Sequence, residues 1–344
     1  MKNIIITGAG GFIGYNISKS LIQKKYNVIG VDNLSRQGSS IRINNLKKIS
    51  KNFVFKKCDI RDYKKLKNIY GDINNLSSTI HTAGQVTVTD SILDPINDFK
   101  INSLGTLHLL ELTKKLHKKS KFIFSSTNKV YGDLEKLKTN KKKNKYYFQK
   151  YKNGINENFN VDYCSPYGCS KGSADQYVID FGRLFNMNTV VLRKSCIYGQ
   201  DQLGTLGQGW ISFLINQAIM KKKITIFGNG YQTRDILYID DLVDVYEKIL
   251  ERNSNGYEIF NIGGGKNNLL SVNDLMYFLK EKKLINNKIN YSSKRLGDQK
   301  TYYSDLNKIK NKYSWQPKIS KEEGLERILN FSLGNINLIN KIYK

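Results

Sequence analysis

The chain has 344 residues, of which 40% are hydrophobic and 11% are aromatic, so it can bury the core of one large domain or two medium ones. No apolar run reaches the roughly 18 residues of a membrane span, and the N-terminal apolar segment is too short for a signal peptide. The cysteines, Cys58, Cys164, Cys169 and Cys196, lack a metal-binding spacing. We therefore expect a globular, reduced, cytoplasmic protein with no membrane partner and no metal ion.

The charge is strongly positive, because 56 lysines and arginines against 29 aspartates and glutamates leave a net charge of +27. Such a charge is typical of nucleic-acid-binding proteins, so nucleic-acid binding is an alternative function. Most lysines are scattered over predicted helix ends, where cations suit the helix dipole. The one dense run, 136–152, interleaves lysine with tyrosine and is predicted to be a solvated insertion. We expect no nucleic-acid partner.

A glycine-rich turn, Gly8–Gly14, follows a short buried strand at Ile4–Ile6 and opens an amphipathic helix. Glycines permit a tight turn and let backbone N–H groups approach a pyrophosphate. The next strand, Val28–Val31, ends in Asp32, whose carboxylate can accept hydrogen bonds from both ribose hydroxyls and would repel a 2′-phosphate. The pattern predicts an NAD site that prefers NAD to NADP, a preference that the nearby Arg36 only tempers.

Further strands are predicted at Phe53–Phe55, at a segment that ends at Ile80–Gln85, at Lys121–Phe124 and at Thr189–Arg193. Asp59 follows the first of these and is placed to meet the adenine amine, although a helix N-cap is an alternative for it and for Asp62. A helix is predicted from about Pro95 to Lys119. Polar residues after the strands, among them Ser125, lie at the carboxyl ends of the strands, where parallel sheets bind their ligands.

The alternation of strands and helices up to about residue 195 predicts a doubly wound α/β parallel sheet of the Rossmann type, with helices on both faces. We expect the NAD-binding domain to comprise 1–195 plus about 236–262. A smaller C-terminal α/β substrate domain would comprise about 196–235 and 263–344. In its helices, Ser271-x-x-Asp274 and Ser320-x-x-Glu323 predict capping boxes, and the triplet Gly263–Gly265 is interpreted as a turn.

Tyr167 and Lys171 form a Tyr-x-x-x-Lys motif at the start of a helix predicted over 166–186, which places them one turn apart on one face. An ammonium beside the phenol favours the phenolate, and so would the positive ring of an oxidised nicotinamide. The pair could then take a proton from a sugar hydroxyl near neutral pH. In a chain with 22 tyrosines the motif alone carries little weight, and the other motifs must support it.

Together these motifs resemble the extended short-chain dehydrogenase/reductase superfamily, specifically its nucleotide-sugar epimerases. The resemblance also includes Thr233–Asp235, Arg295–Asp298 and Trp315–Pro317. Within the superfamily, 126–132, 165–177 and 208–210 resemble the CDP-paratose 2-epimerases, also called CDP-tyvelose 2-epimerases. The sugar dehydratases of the superfamily carry Asp-Glu where this chain has Asn128 and Lys129, so the resemblance implies an isomerase.

The resemblance implies inversion at C2 of a CDP-3,6-dideoxyhexose through a transient keto-sugar, with NAD reduced and reoxidised while it stays bound. Tyr167 would remove the hydroxyl proton, Thr127 would position that hydroxyl, and Lys171 would hold the nicotinamide ribose and lower the pKa of Tyr167. The implied cofactor-binding residues are Gly8, Gly11, Phe12, Ile13, Gly14, Asp32, Asn33, Ser35, Arg36, Asp59, Ile60, Ala83, Gly84, Gln85, Asn102, Ser125, Tyr167 and Lys171.

The nucleotide-diphosphate sugar would be held by Thr127, Asn128, Cys196, Arg234, Arg295 and Asp298. The two arginines suit a diphosphate, because guanidinium binds phosphate oxygens bidentately. The alternative for each is an ion pair with Asp235 or Asp298, and Cys196 is otherwise a small packing residue.

Three further questions stay open at this stage. A 4-epimerase of another nucleotide-sugar is the first alternative function, and a nucleic-acid-binding protein on the same fold is the second, against which the intact catalytic residues speak. The superfamily implies a homodimer or homotetramer through the helices at 95–119 and 166–186. The insertion at 136–152 is expected near the substrate, where it would affect specificity.

Overall fold

A computed structural model describes residues 2–252, 254–285, 289–295 and 297–343. The chain alternates strands and helices over most of its length. The strands are β1 (Asn3–Thr7), β2 (Asn27–Asp32), β3 (Phe53–Lys57), β4 (Leu76–His81), β5 (Lys121–Thr127), β6 (Thr139–Lys142), β7 (Lys145–Phe148), β8 (Thr189–Lys194), β9 (Cys196–Tyr198), β10 (Ile224–Phe227), β11 (Thr233–Tyr238), β12 (Tyr257–Ile262), β13 (Leu269–Ser271), β14 (Ile289–Ser292) and β15 (Thr301–Tyr302).

The helices between these strands are mostly two to five turns long, and no helix in the described ranges is both long and apolar enough to cross a membrane. Short 3-10 turns lie at Asn128–Tyr131 and Lys266–Asn268. The α-helices are α1 (Phe12–Gln23), α2 (Ser39–Ile49), α3 (Tyr63–Gly71), α4 (Val88–Leu93), α5 (Pro95–Phe99), α6 (Gly105–Leu116), α7 (Ser165–Leu184), α8 (Trp210–Ile219), α9 (Ile239–Glu251), α10 (Val272–Glu281), α11 (Asn307–Tyr313), α12 (Lys321–Gly334) and α13 (Ile336–Tyr343).

The first compact unit comprises 1–130, 165–193 and 243–260. Its seven-stranded sheet has the order β12-β8-β5-β4-β1-β2-β3, and the four pairs among β1 to β5 are parallel. Three isoleucines, Ile4–Ile6, are fully buried in β1, because both faces of a parallel sheet are covered. The strand order reverses between β1 and β4, and ligands of such sheets bind at the carboxyl ends of the strands there.

The helix predicted over 95–119 is three segments in the structure. α5 is followed by a π-helical turn at Lys100–Leu104, and α6 continues to Leu116. The apolar spacing predicted the helical character correctly, but it cannot distinguish a π-turn from an α-turn. Single π-turns occur often at functional sites, and Asn102 lies within this one.

The second unit comprises 131–164, 194–242 and 261–344. Its strands form a small sheet of β13, β11, β15 and β9, a parallel pair of β10 and β14, and a hairpin of β6 and β7. The domain prediction placed 131–164 and 236–242 with the cofactor-binding domain, whereas their contacts lie in the second unit. One physical reason is that β7 bonds to other strands of this unit, through Tyr146 N to Thr233 Oγ1 and Thr301 Oγ1 to Tyr146 O, both at 3.0 Å.

The lysine-rich insertion is therefore an ordered hairpin with one packed side. Phe148 is buried against the ring of Tyr303, whose centroid lies 5.0 Å away. Lys141 and Lys142 are exposed, as the sequence predicted for the insertion, and Lys141 Nζ lies 3.6 Å from the centroid of the Tyr231 ring. Aromatic residues at 146–148 anchor the segment, while its lysines remain at the surface.

Asp235 is a buried carboxylate that joins several segments of the second unit. It accepts hydrogen bonds from Ser195 Oγ, from Gly265 N at 3.1 Å and from Ser304 N at 3.0 Å. Burial raises the pKa of Asp235 to about 6, although these hydrogen bonds act to lower it. A Cβ on Gly263 would lie 2.0 Å from Asp235 Oδ2. The glycine triplet at 263–265 is thus a turn that makes room for this carboxylate.

Asp241 holds Trp315 and the segment that follows it by hydrogen bonds. Its carboxylate accepts hydrogen bonds from Lys318 N at 3.1 Å and Ile319 N at 3.0 Å, while its carbonyl accepts one from Trp315 Nε1 at 3.2 Å. The Ser271 capping box is complete. At Ser320, in contrast, the side chain caps Glu323 N, but the Glu323 carboxylate pairs with Arg327.

We expect Asp241→Ala to lower the free energy of unfolding of this unit by about 2–4 kcal/mol, because two backbone N–H groups lose a charged acceptor. Asp240→Ala is the matched control on the same helix, since Asp240 forms an exposed ion pair with Arg327 that contributes less than about 1 kcal/mol. Urea titration followed by tryptophan fluorescence measures both variants. Equal losses in the two variants would contradict the role of Asp241.

Candidate active site

The candidate site lies at the carboxyl ends of β1, β4 and β5 and at the start of α7, all in the first unit. β5 ends at Thr127, and α7 begins two residues before Tyr167. Tyr167 and Lys171 are both buried and lie one helical turn apart, as predicted. The backbone N–H of Tyr167 donates to Ser91 Oγ at 3.1 Å, so α4 helps to fix the start of this helix.

Lys171 is held by groups at the end of β5. Its Nζ donates to the carbonyl oxygen of Ser125 at 2.8 Å and lies 4.0 Å from the centroid of the Phe124 ring. Burial lowers the pKa of Lys171 to about 7, and the negative charges of Asp175 and Asp98 act in the opposite direction. The site therefore holds a lysine whose charge depends on its neighbours.

Tyr167 differs from the sequence expectation, which had Lys171 lowering its pKa. Burial raises the pKa of Tyr167 to about 12 and outweighs the hydrogen bond with Thr127 and the charge of Arg36, which both lower it. The Lys171 ammonium is engaged by Ser125 instead. Desolvation thus dominates in the protein alone, and the phenolate needs a further positive charge.

Asn102 connects the loop after β4 to the catalytic helix. Its Oδ1 accepts a hydrogen bond from Gln85 N at 3.0 Å, and its Nδ2 donates to Ser170 Oγ at 3.0 Å and to Asp98 Oδ1 at 3.1 Å. A Cβ on Gly84 would lie 2.9 Å from Asn102 Oδ1 and 4.0 Å from Lys171 Nζ. The structure thus brings together the predicted residues of this loop, Asn102 and Lys171.

The glycine-rich turn lies between β1 and α1. Gly8 has a φ of +74°, and a Cβ there would lie 2.7 Å from Ala83 N. Asp32 accepts hydrogen bonds from Gly10 N at 3.0 Å and Leu34 N at 2.7 Å.

The N-terminus of α1 suits an anion. No side chain of the described residues caps it, and its first turn carries no acidic residue. The backbone N–H groups of Phe12 and Ile13 are therefore available to a diphosphate, as the helix dipole favours. Since Asp32 lies beside the same turn, this part of the site fits a dinucleotide.

Asp59 is engaged by protein groups. Arg61 donates to it through Nε at 2.9 Å and Nη2 at 2.8 Å, and Asn33 Nδ2 donates at 2.8 Å. These bonds, with Arg61 first, hold the pKa of Asp59 well below its usual range. The N-cap of α3 is Asp62, so the capping alternative applies to that residue. The adenine contact of Asp59 stays a prediction.

The other predicted cofactor residues differ in burial and in hydrogen bonding. Ile60 is buried and would contact a Cβ on Gly105 at 2.7 Å. Ser35 and Arg36 are exposed in the loop after β2. Ser125 Oγ is hydrogen-bonded to Tyr246 OH at 2.7 Å, so its side chain supports the end of β5.

Predicted substrate residues of the second unit form pairs with one another or with their neighbours. Arg234 Nη2 binds Asp298 Oδ1 at 2.6 Å, which is the ion-pair alternative named for this arginine. Arg295 Nη1 donates to the carbonyl of Leu206 at 2.9 Å, and its guanidinium lies 4.0 Å from the centroid of the Phe227 ring. Leu296, within the same motif, lies outside the described residues.

Cys196 and Asn128 are the remaining predicted substrate residues. The thiol of Cys196 accepts a hydrogen bond from Trp210 Nε1 at 3.2 Å, and burial raises its pKa to about 11, so it is a poor nucleophile. Asn128 is buried directly after Thr127, in the first unit.

Sequence reasoning missed four residues that support the catalytic helix: Ser91, Asp98, Ser170 and Asp175. For Ser170 and Asp175 a signal existed, because they lie three and eight residues after Tyr167 and so lie near its face of the helix. Ser91 and Asp98 lie about 70 residues earlier in the chain, and no local pattern connects them to α7.

Comparison with known proteins shows the family of the chain. The family described as GDP-mannose 4,6 dehydratase matches residues 5–328. The chain belongs to this family. CDP-paratose 2-epimerase of Salmonella typhi is 38% identical over 341 residues, which cover 96% of this chain and 98% of that protein. The predicted resemblance to nucleotide-sugar epimerases is thereby confirmed.

Two solved structures of epimerases have the same fold as this chain. The UDP-glucose 4-epimerase of Thermotoga maritima, with UDP-glucose, has a TM-score of 0.83 and 32% identity, covering 97% of this chain and 99% of its own. The UDP-glucuronic acid 4-epimerase of Bacillus cereus, in complex with UDP-glucuronic acid and NAD, has a TM-score of 0.81 and 27% identity, covering 96% and 99%. The predicted Rossmann-type fold of the extended superfamily is confirmed.

Gly14→Ala tests the close packing of the glycine-rich turn. The new Cβ would lie 2.2 Å from the carbonyl oxygen of Gly8, so the turn must move, and we expect a loss of about 1–3 kcal/mol in stability. Gly71→Ala is the control, because a Cβ there meets nothing within 4 Å. Thermal unfolding checks both variants. A midpoint for Gly14→Ala as high as that for Gly71→Ala would rule out the close packing.

Proposed function

We propose that the chain is an NAD-dependent epimerase that inverts C2 of a CDP-3,6-dideoxyhexose through a transient keto-sugar. The observation that carries the proposal is the buried Tyr167, hydrogen-bonded to Thr127 and one turn from Lys171. The similarity to CDP-paratose 2-epimerase over nearly the whole chain favours this substrate. Asn128 and Lys129 follow Thr127, so the acid that superfamily dehydratases use is absent from these positions.

The uncapped start of α1, the Gly8–Gly14 turn and Asp32 would hold the dinucleotide, and Lys171 would hold its nicotinamide ribose. Bound NAD supplies an acceptor for the sugar hydride that later returns it, and a positive ring that favours the Tyr167 phenolate. Asp32 would accept bonds from the ribose hydroxyls and so select NAD over NADP.

Tyr167 would take the proton from the sugar hydroxyl, and Thr127 would orient that hydroxyl by a hydrogen bond. After the ketone has presented its other face, Tyr167 returns the proton to the same oxygen. The burial of Tyr167 and Lys171 keeps water from the reacting groups. In this scheme Tyr167 serves as base and then as acid, so no second acid–base residue is needed.

Arg234 and Arg295 are proposed to contact the diphosphate of the nucleotide. Arg234 is fixed by Asp298, and Arg295 by the Leu206 carbonyl and the Phe227 ring, so both guanidinium groups have defined positions. Fixed guanidinium groups lose little freedom when they bind phosphate. Cys196 is proposed to line the sugar pocket as a neutral thiol.

A second candidate function is 4-epimerisation of a UDP-sugar. It is favoured by the UDP-glucose 4-epimerase structure, which is 32% identical to this chain. A panel of CDP-, UDP-, GDP- and dTDP-sugars, analysed by NMR for inversion at C2 or C4, separates the two. Inversion only at C4 of a UDP-sugar would replace the first proposal by the second.

We also propose a homodimer in the cytoplasm. Leu93, Ile96 and Phe99 on α4 and α5 are 84%, 67% and 54% exposed, and Leu184 on α7 is 66% exposed. Such apolar side chains on neighbouring helices favour a buried interface with a second copy. The four cysteines form no disulfide, which suits a reducing compartment.

Tyr167→Phe is expected to keep the fold and the bound NAD while kcat falls by roughly a hundredfold or more, because the base is lost. Tyr177→Phe on the same helix is the control, since Tyr177 is exposed and outside the site. Epimerase assays and mass spectrometry of the co-purified nucleotide check both. Unchanged turnover of Tyr167→Phe would refute its role as the base.

Ile96→Lys is expected to weaken the dimer, because a charge would be buried in the proposed interface. Leu333→Lys, on α12, is the control at an exposed leucine of the second unit. Light scattering after gel filtration measures the mass of each variant. A wild-type protein that is monomeric at micromolar concentration, or an Ile96→Lys variant as dimeric as the wild type, would count against this interface.

A further inference from the structure

A buried ion pair lies behind the candidate catalytic residues, within the first unit. Asp175 follows Lys171 by one turn of α7, and Arg193 lies in β8. Arg193 donates to Asp175 through Nε at 3.1 Å and Nη2 at 2.8 Å, and both side chains are almost fully buried, Arg193 at 3% and Asp175 at 0% exposure. The reaction scheme proposed above does not use this pair.

The ion pair is connected to the end of β5. Ser126 Oγ donates to Asp175 Oδ2 at 2.6 Å, while the preceding carbonyl, of Ser125, accepts from Lys171 Nζ at 2.8 Å. Two consecutive residues of β5 are therefore bonded to two side chains of α7 that lie one turn apart. Thr127, the next residue of the strand, is the one that bonds to Tyr167.

Stability alone gives little reason for a charged pair at this place. Burying two charges has a large desolvation cost, and well-packed apolar residues of similar volume often serve stability equally well. A bidentate arginine fixes the carboxylate plane, and the carboxylate then fixes the serine hydroxyl. The charged pair therefore fixes the position of the end of β5, which apolar residues would not do.

We propose that Asp175, oriented by Arg193, is a positioning residue that holds Ser126 and thereby keeps Thr127 in hydrogen-bond register with Tyr167. The activity readout of this proposal rests on the proposed epimerase function. Misplacing a reacting group by a fraction of an ångström lowers the rate without weakening binding. The proposal therefore predicts an effect on kcat and none on KM.

Ser126→Ala removes the bond to Asp175 and leaves the ion pair in place. We expect kcat to fall roughly tenfold, with KM and the amount of bound NAD unchanged. Amide hydrogen exchange at 126–128 should become faster. Thr79→Val is the matched control, because it removes a buried hydroxyl in the adjacent strand that is bonded to Tyr70 OH at 3.1 Å, and it should leave kcat and exchange at 126–128 unchanged.

Ser126→Thr keeps the hydroxyl and should recover most of the rate. Wild-type kcat in Ser126→Ala, or an equal fall in Thr79→Val, would overturn the proposal. A parallel rise in KM or loss of NAD would show a merely structural role and would overturn it too. If the wild type epimerises no sugar of the panel, the proposed function fails by itself, and unchanged exchange at 126–128 in Ser126→Ala would still refute the positioning role.

A second variant, Asp175→Asn, tests the charge. The negative charges of Asp175 and Asp98 favour the ammonium form of Lys171. His81 on β4 acts in the opposite direction, because its protonated ring and the Lys171 ammonium would repel each other. Without the charge of Asp175, Lys171 loses its proton at lower pH, so the pH dependence of kcat should shift to lower pH. A wild-type kcat together with an unchanged pH profile, with the fold intact, would contradict the proposal.

Discussion

Desolvation at the end of β5 is the constraint on which the chemistry of this protein depends. It moves the pKa of Tyr167 up to about 12 and the pKa of Lys171 down to about 7, so each group is driven toward its neutral form. A buried neutral pair is a poor base. The charges of Asp175 and Asp98 oppose this tendency at Lys171, and the charge of Arg36 opposes it at Tyr167, where Asp98 adds to it. The positive ring of a bound dinucleotide would add to the stabilisation of the phenolate, and this links activity to cofactor occupancy.

The surroundings of α7 show how the fold keeps these groups in place. Bonds from Ser91, Asn102 and Ser126 reach the first three turns of the helix from three different segments of the first unit. In the second unit Asp235 has a comparable role, since three segments donate to one buried carboxylate. In both units, buried polar groups that are fully hydrogen-bonded specify one arrangement of loops that apolar packing alone would leave open.

The sequence predicted the strands and the catalytic pair well, because these depend on local patterns. Ile4–Ile6, Asp32 and the Tyr167–Lys171 spacing each combine a short periodic segment with a recognisable motif, and the structure has all of them. The π-turn at Lys100–Leu104 was not predictable, since it keeps the apolar spacing of a helix. The raised pKa of Tyr167 in the protein alone was not predicted, because it depends on burial, which is a property of the whole fold.

Long-range polar contacts account for most of the remaining differences. The bond of Ser170 with Asp98 and that of Tyr146 with Thr233 join residues more than 70 positions apart, and no pattern within either segment indicates its partner. Arg61, two residues further along the chain, forms an ion pair with Asp59. The family motif had predicted that Asp59 contacts the adenine amine. The hairpin at 139–148 was read as solvated because its lysines dominate the composition, while its buried side depends on Phe148.

The most direct test of the central claim is to incubate the purified protein with a CDP-3,6-dideoxyhexose in heavy water and to follow C2 by NMR and mass spectrometry. Hydride transfer to a retained dinucleotide predicts inversion at C2 without deuterium at that carbon, and NAD still bound at the end. Inversion with deuterium incorporated at C2 would mean that the proton at that carbon exchanges with solvent. That result would contradict the role given to the cofactor and to Tyr167, even though the fold would stand.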